Sequence, residues 1–263
     1  MNKRQSARRR RRRDRRVKLM LTGVLAAGCL LAGVGRAMGD TPRAAPTPAV
    51  SFVIPAEPAP VVPREVPSQA PVLQEDDWRL LLVNPWNPLP EDYQVVLTQL
   101  KNGLCVDSRC YPDLQAMMDD CRAAGLSPVV CSAYRTQEKQ RQLFQNQVDK
   151  LLAQGYTQAD AEAEAGTAVA VPGTSEHQLG LAVDIVDVND QNLDEDQEDT
   201  AVQQWLMKHS WEYGFILRYP GDKSEITGII YEPWHYRYVG REAAEEIHEQ
   251  GVCLEEYLDG KTA

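Results

Sequence analysis

The sequence predicts an α+β domain, a mostly antiparallel sheet flanked by helices, carried behind a long N-terminal region of different character. Three observations lead there. The composition changes near Asp77 from proline-rich to that of a folded domain, and the 187 residues of 77–263 suffice for one sizeable core. Strand-like and helix-like segments then alternate irregularly, without a repeating strand–helix–strand rhythm. Turn signals such as Asn102-Gly103 separate short strands, as hairpins require.

The elements follow in order. Tyr93–Leu100 reads as a strand, turned at Asn102-Gly103 into Leu104–Val106. Pro112 opens a helix whose Leu114, Met117, Met118 and Cys121 recur at helical spacing, and Gly125 stops it. Ser127–Tyr134 is an apolar strand ending at Arg135. Thr136 caps a helix with the stripe Leu143, Phe144, Val148, Leu151, and Thr157 starts another with Asp160 three residues on. A loop over 171–180 precedes the strand Leu181–Val186 and an acidic loop. A helix over 201–209, strands at Phe215–Tyr219, Ile229–Tyr231 and His235–Val239, and a final helix from Arg241 complete the domain.

The formal charge of −10 hides an asymmetry. Residues 1–18 hold eleven of the 28 Lys and Arg and one acid, Asp14, so the rest of the chain carries −20. That acidic remainder argues against nucleic acid as a partner. The basic tail runs into an apolar segment within residues 19–39, the pattern of a membrane anchor or signal segment with the basic end inside. The expectation is a single-pass anchor in the cell membrane with the domain outside the cytoplasm; secretion after cleavage is the alternative. Residues 40–76 form a linker. Nine of the 17 prolines fall between Pro42 and Pro71, and an extended polyproline chain of that length reaches roughly 110 Å.

Chemistry concentrates in two stretches. In Ser175–Asp184, SEHQLGLAVD, His177 and Asp184 stand seven apart. On one helix they would lie about 10.5 Å apart along the axis, too far for one metal ion with ligands at about 2 Å. A turn at Gly180 feeding a strand solves the geometry. Leu181, Val183 and Ile185 then face a core, while Asp184 stands alone as a charge on the other face and needs a cation or donors. The second stretch, Glu232-Pro233-Trp234-His235, supplies another histidine and a carboxylate. Two His and one Asp form a three-ligand zinc site with its fourth position open, the catalytic pattern. Glu232 is the candidate general base, brought round by a backbone that Pro233 keeps from running straight. His209 and His248, on polar helices, read as solvent-facing.

These stretches resemble the zinc D-alanyl-D-alanine carboxypeptidases of the VanY type and their L,D-carboxypeptidase relatives. The likeness runs from about Leu82 to Gly240. It includes Val83-Asn84, Asn87-Pro88-Leu89-Pro90, Ser132-Ala133-Tyr134-Arg135, Gly173, SEHQLGLAVD and Glu232-Pro233-Trp234-His235-Tyr236. The resemblance implies a fold shared with the hedgehog signalling domain and removal of a C-terminal D-alanine from peptidoglycan stem peptides. It implies Zn2+ held by His177, Asp184 and His235, with Glu232 as base. Carried over by position, Arg135 lies at the site edge, where its fork suits a carboxylate or a developing oxyanion. Gln140 matches a family glutamine on the following helix and is carried over as a candidate substrate contact. Ser175 is placed to hydrogen-bond substrate or simply to make the turn, and Tyr219 and Trp234 are candidate pocket walls or core aromatics.

The alternatives are L,D-carboxypeptidase activity on tetrapeptide stems and a non-catalytic peptidoglycan-binding module, which would have no use for Glu232. Five cysteines follow the apolar segment, and bridges Cys121–Cys131 and Cys105–Cys110 are expected, with Cys253 left over. The acidic stretch 187–199 reads as a solvated loop, with calcium binding as the rival.

Overall fold

The computed structural model of the chain describes residues 78–262. The expected basic tail, apolar segment and linker lie outside the described residues. Among the described residues no helix is long and apolar enough to cross a membrane.

A single 3-10 turn, Trp78–Leu80, leads to a two-stranded hairpin, β1 (Leu97–Gln99) against β2 (Cys105–Asp107). The strand expected over Tyr93–Leu100 is thus only three residues long. Helix α1 (Tyr111–Ala123) buries the four residues of its predicted stripe, Leu114, Met117, Met118 and Cys121. After β3 (Pro128–Ser132) come α2 (Gln137–Ala153) and α3 (Gln158–Ala168). The hydroxyls of Thr136 and Thr157 cap these two helices, accepting from the backbone N–H of Lys139 and Asp160. A 3-10 turn (Glu176–Leu179) enters β4 (Ala182–Asp187). The chain continues through a 3-10 turn (Glu195–Asp199), α4 (Ala201–His209), a 3-10 turn (Ser210–Tyr213), β5 (Phe215–Leu217), the short α5 (Ser224–Thr227) and β6 (His235–Tyr238). Helices α6 (Arg241–Gln250) and α7 (Leu254–Thr262) close the fold.

The main sheet has the order β3-β4-β6-β5 and is antiparallel throughout, in keeping with the predicted α+β class. Alternation along each strand gives the sheet two different faces. One face is apolar: Val130, Val183, Ile185, Phe215, Tyr236 and Tyr238 pack on α1 and on Val202 and Leu206 of α4. The opposite face carries His235 and Arg237 of β6 beside Asp184 of β4. Near β5 this face is closed by Ile216 and Val239 packed on Ala244, Ile247, Leu254 and Tyr257 of α6 and α7. A third cluster, Val148, Leu151, Ala161 and Ala165, holds α2 against α3.

Three expectations need correction. Ile229–Tyr231 is not a strand. Gly228 ends α5 in the left-handed region (φ 76°), and Ile230 N–H donates to Thr167 O at the end of α3 instead of to a sheet neighbour. The single C-terminal helix is two, broken at Gly251 (φ 64°). Neither disulfide forms: none of the five cysteines among the described residues is bridged to another of them. Cys110 Sγ donates to Asp107 O (3.2 Å) within a buried turn, and Cys131 Sγ to Asp184 O (3.4 Å) across the sheet, so each expected pair is turned towards a different neighbour.

Candidate active site

The sheet register assembles the site. Ser132 of β3 pairs with Asp184 of β4, and Asp184 pairs with His235 of β6, so the three stand in a row across adjacent strands. A register shift between Val130 and Ser132 ends the regular part of β3 there. His177 comes from the 3-10 turn just before β4. Gly180 makes the join in the left-handed region (φ 78°), where a Cβ would stand 3.1 Å from Asp107 N and 3.2 Å from Val95 Cγ2. Both backbone angle and space therefore exclude a side chain. Glu232 reaches the same cluster because Pro233 and Trp234 form a turn, closed by His235 N–H donating to Glu232 O (3.1 Å). The bent backbone expected from Pro233 is present.

His177, Asp184 and His235 are each 2–3% exposed and offer ligand atoms within 4.8 Å of one another. The hydrogen bonds fix the tautomer of His177. His177 Nδ1 lies 2.7 Å from Ala133 O, which can only accept, so Nδ1 carries the proton and Nε2 a lone pair. That lone pair faces Asp184 Oδ2 at 3.3 Å. His235 Nε2 faces Glu176 Oε2 at 3.4 Å, which leaves Nδ1 towards Asp184 Oδ1 at 3.1 Å and Glu232 Oε2 at 3.7 Å. Two imidazole nitrogens and two carboxylates thus converge, and a cation between them, a proton or a metal ion, satisfies the cluster. The donor set, two neutral His and one Asp with room for a fourth ligand, fits zinc.

The electrostatics agree. Burial, reinforced by Arg135, lowers the His177 pKa to about 4, so the ring is neutral. Burial opposes a charge on His235, yet Asp184 and Glu176 together raise it to about 9. A field that attracts a proton so strongly attracts a metal dication as well. Burial raises Glu232 to about 8, opposed by His235 and helped by Asp184. A carboxyl poised in that range can both take up and give back a proton.

Arg135 ends the β3 segment, with its backbone N–H on His177 O (3.1 Å). Its guanidinium donates to Asp184 Oδ2 (2.9 Å), to Ser132 Oγ (2.8 Å) and to Gln140 Oε1 (3.3 Å), while remaining 18% exposed at the cleft. Gln140 is fully buried behind it, and its amide also donates to Ala170 O (2.7 Å). Both ends of the Gln140 amide are thus engaged, and it holds Arg135. The cleft is lined by Arg135, Ser175, His177, Asp184, Tyr219, Glu232, Trp234 and His235. Tyr219 sits against the His235 ring at 4.7 Å between centroids. His209 pairs with Glu212 and His248 stacks on Trp211, both away from the cleft.

Other residues had no sequence signal of their own. Leu193, Asp194 and Glu195 of the acidic loop form part of the cleft wall, as do Leu143 and Asn146 of α2. The loop's carboxylates turn onto its own backbone: Asp187, Asp190 and Asp194 accept from the N–H groups of Asn189, Asn192 and Asp196. Behind His235 lies a buried chain of ions. Arg218 Nε and Arg237 Nη1 each donate to Glu176 Oε1 at 2.7 Å. Arg218 also makes a two-pronged pair with Glu255 (2.7 and 2.8 Å), whose Oε1 accepts from Asn84 Nδ2 (3.0 Å). Burial opposes ionisation of Glu176, but Arg218 and Arg237 hold it well below the usual carboxylate range.

Comparison with known proteins places this geometry. Residues 103–241 match the family model described as VanY, D-alanyl-D-alanine carboxypeptidase. The chain belongs to the VanY family. A D-alanyl-D-alanine carboxypeptidase of Enterococcus faecalis is 54% identical over 186 residues, covering 70% of this chain and 67% of that protein. The solved structure of VanYB in complex with D-alanine-D-alanine is 54% identical with a TM-score of 0.65, covering 69% of this chain and 98% of that one. A VanY D,D-pentapeptidase variant from a VanB-type resistance cassette, in complex with Zn(II), is 53% identical with a TM-score of 0.64, covering 69% and 99%. The LD-carboxypeptidase LdcB is more distant, 33% identical with a TM-score of 0.59, covering 70% of this chain and 88% of that one. This VanY family member is an enzyme with a zinc cofactor, and the His177, Asp184 and His235 cluster is the group among its described residues suited to hold it.

Proposed function

We propose that this VanY family member hydrolyses the C-terminal D-alanine from peptidoglycan stem peptides ending in D-Ala-D-Ala. The observation that carries the reading is the convergence of two histidine ring nitrogens on Asp184, with Glu232 3.7 Å from His235 and all four opening on one cleft. Zinc, when bound, supplies a Lewis acid and eases ionisation of water near neutral pH. The chain's residues do the rest. Glu232 Oε2 takes a proton from the attacking water and returns it to the leaving amine. Such proton transfer is typically worth about 10²–10⁴-fold. Arg135 presents N–H donors at the cleft to the terminal carboxylate or to the carbonyl oxygen as it gains charge. Ser175 lines the cleft beside His177, and Tyr219 and Trp234 form apolar wall, narrowing it around a small terminal residue.

The domain works outside the cytoplasm, held at the cell membrane by the apolar segment within residues 19–39 and set off from it by the linker 40–76. The basic-then-apolar order and the prolines support this. Defined pentapeptide and tetrapeptide stems incubated with purified protein, followed by mass spectrometry, test the activity. Loss of one alanine from the pentapeptide is expected. Release only from the tetrapeptide shifts the reading to L,D-carboxypeptidase, and release from neither overturns it.

A further inference from the structure

Oxygen by oxygen, Glu176 is divided between two tasks. Its Oε1 accepts from Arg218 Nε and Arg237 Nη1, both at 2.7 Å, and its Oε2 faces His235 Nε2 at 3.4 Å. Three residues per turn in the 3-10 segment send neighbouring side chains about 120° apart. His177 therefore turns to Asp184 while Glu176, the next residue back, passes to the far side of the His235 ring. Glu176, Arg218 and Arg237 are all fully buried, so protein groups and not solvent must satisfy them. The two guanidinium groups are themselves anchored. Arg218 is tied to Glu255, and Arg237 Nη2 donates to Arg79 O and Leu81 O, so the carboxylate is fixed from behind.

We propose that Glu176 is a positioning residue for the zinc site: by accepting the Nε2 proton of His235 it sets the ring's tautomer and angle, and so presents Nδ1 to the metal. The inference rests on the zinc site of His177, Asp184 and His235. Glu176 touches neither the cleft nor the reacting atoms. A carboxylate behind a ligating imidazole raises its basicity and holds its plane, and loss of such a partner typically weakens metal binding by about 10–100-fold. The rival role is purely structural, in which Glu176 only neutralises two buried arginines. Glu255 provides the control, because it pairs with Arg218 in the same chain of ions yet makes no contact with His235.

The test compares full-length wild type, Glu176→Gln and Glu255→Gln. Zinc affinity is measured by chelator competition, and the visible spectrum of the cobalt-loaded protein reports ligand geometry. Glu176→Gln is expected to bind zinc about 10–100-fold more weakly and to shift the cobalt bands. Glu255→Gln is expected to lower the melting temperature while keeping wild-type zinc affinity and bands. If Glu176→Gln fails to fold, the double variant Glu176→Gln/Arg237→Gln removes one charge of each sign and takes its place, with the same expectation. Wild-type affinity and spectrum in whichever variant folds overturn the inference. Equal weakening by Glu255→Gln also overturns it, since the effect would then follow buried charge and not the His235 contact. A wild type that binds no zinc overturns both this inference and the function beneath it, and so is told apart from failure of the inference alone.

Discussion

The two sides of the His235 ring differ in how their charges balance. Behind it, Glu176 and Glu255 face Arg218 and Arg237, two against two, with hydrogen bonds of 2.7–2.8 Å between them. In front of it, Asp184 meets Arg135, and both histidine rings turn a nitrogen towards Asp184, with Glu232 beside His235. The back is complete without any further ion, as buried charges must be to be tolerated. The front holds its groups ready to exchange protons for a metal ion, with His235 raised to about 9 and Glu232 to about 8. The same residue types thus serve two ends: locked in pairs, they hold a ring still; left titratable, they bind.

Breaking the front has the largest consequences. Stripping zinc with a chelator is expected to abolish release of D-alanine from a pentapeptide stem, and added zinc to restore it; activity that survives verified metal removal would contradict the site. Glu232→Gln keeps the side chain's shape but removes the proton acceptor. It should lower kcat by about 10²–10⁴-fold with zinc content unchanged, as metal analysis beside steady-state kinetics would show. Arg135→Lys loses the fork that spans Ser132, Asp184 and Gln140. A fall in kcat/KM of about 10²-fold follows from the loss of an oriented donor, and near-wild-type kinetics would remove Arg135 from the mechanism. The smallest effect lies at the outer end of the back. Asn84→Ala deletes the bond to Glu255 and the turn bonds to Asn87, costing about 1–2 kcal/mol, read as a lower melting temperature with kcat/KM preserved. If Asn84→Ala instead lowered kcat at full folding, the two sides would not be separable.

The front was legible in the sequence and the back was not, for a physical reason. His177 and Asp184 lie seven apart, and Glu232 and His235 three apart, so short local geometry constrains each pair and Gly180 and Pro233 supply the bends. Glu176, by contrast, meets Arg218 and Arg237 across 42 and 61 residues. Only the pairing of β6 between β4 and β5 brings them together, and a single arginine in a strand carries no mark of its partner. The same limit explains the misread segments. Ile229–Tyr231 has strand-like side chains, but Pro220, Gly221 and α5 carry the chain away from β5 before it can pair. Cys121 and Cys131 are near in sequence, yet Cys131 points to Asp184 O. The helices α1 to α4 read well because their stripes and Thr caps are local.

Asn84 and Glu255 lie outside the segment 103–241 that matches the family, one before it and one after. Their bond closes over Arg218, within that segment, like a clasp joining the two ends of a strap. A fragment trimmed to the matched residues would keep every atom proposed to act on the substrate and still leave a buried guanidinium facing half its partners. The unit that can be inherited, transplanted or expressed intact is therefore larger than the unit that similarity outlines.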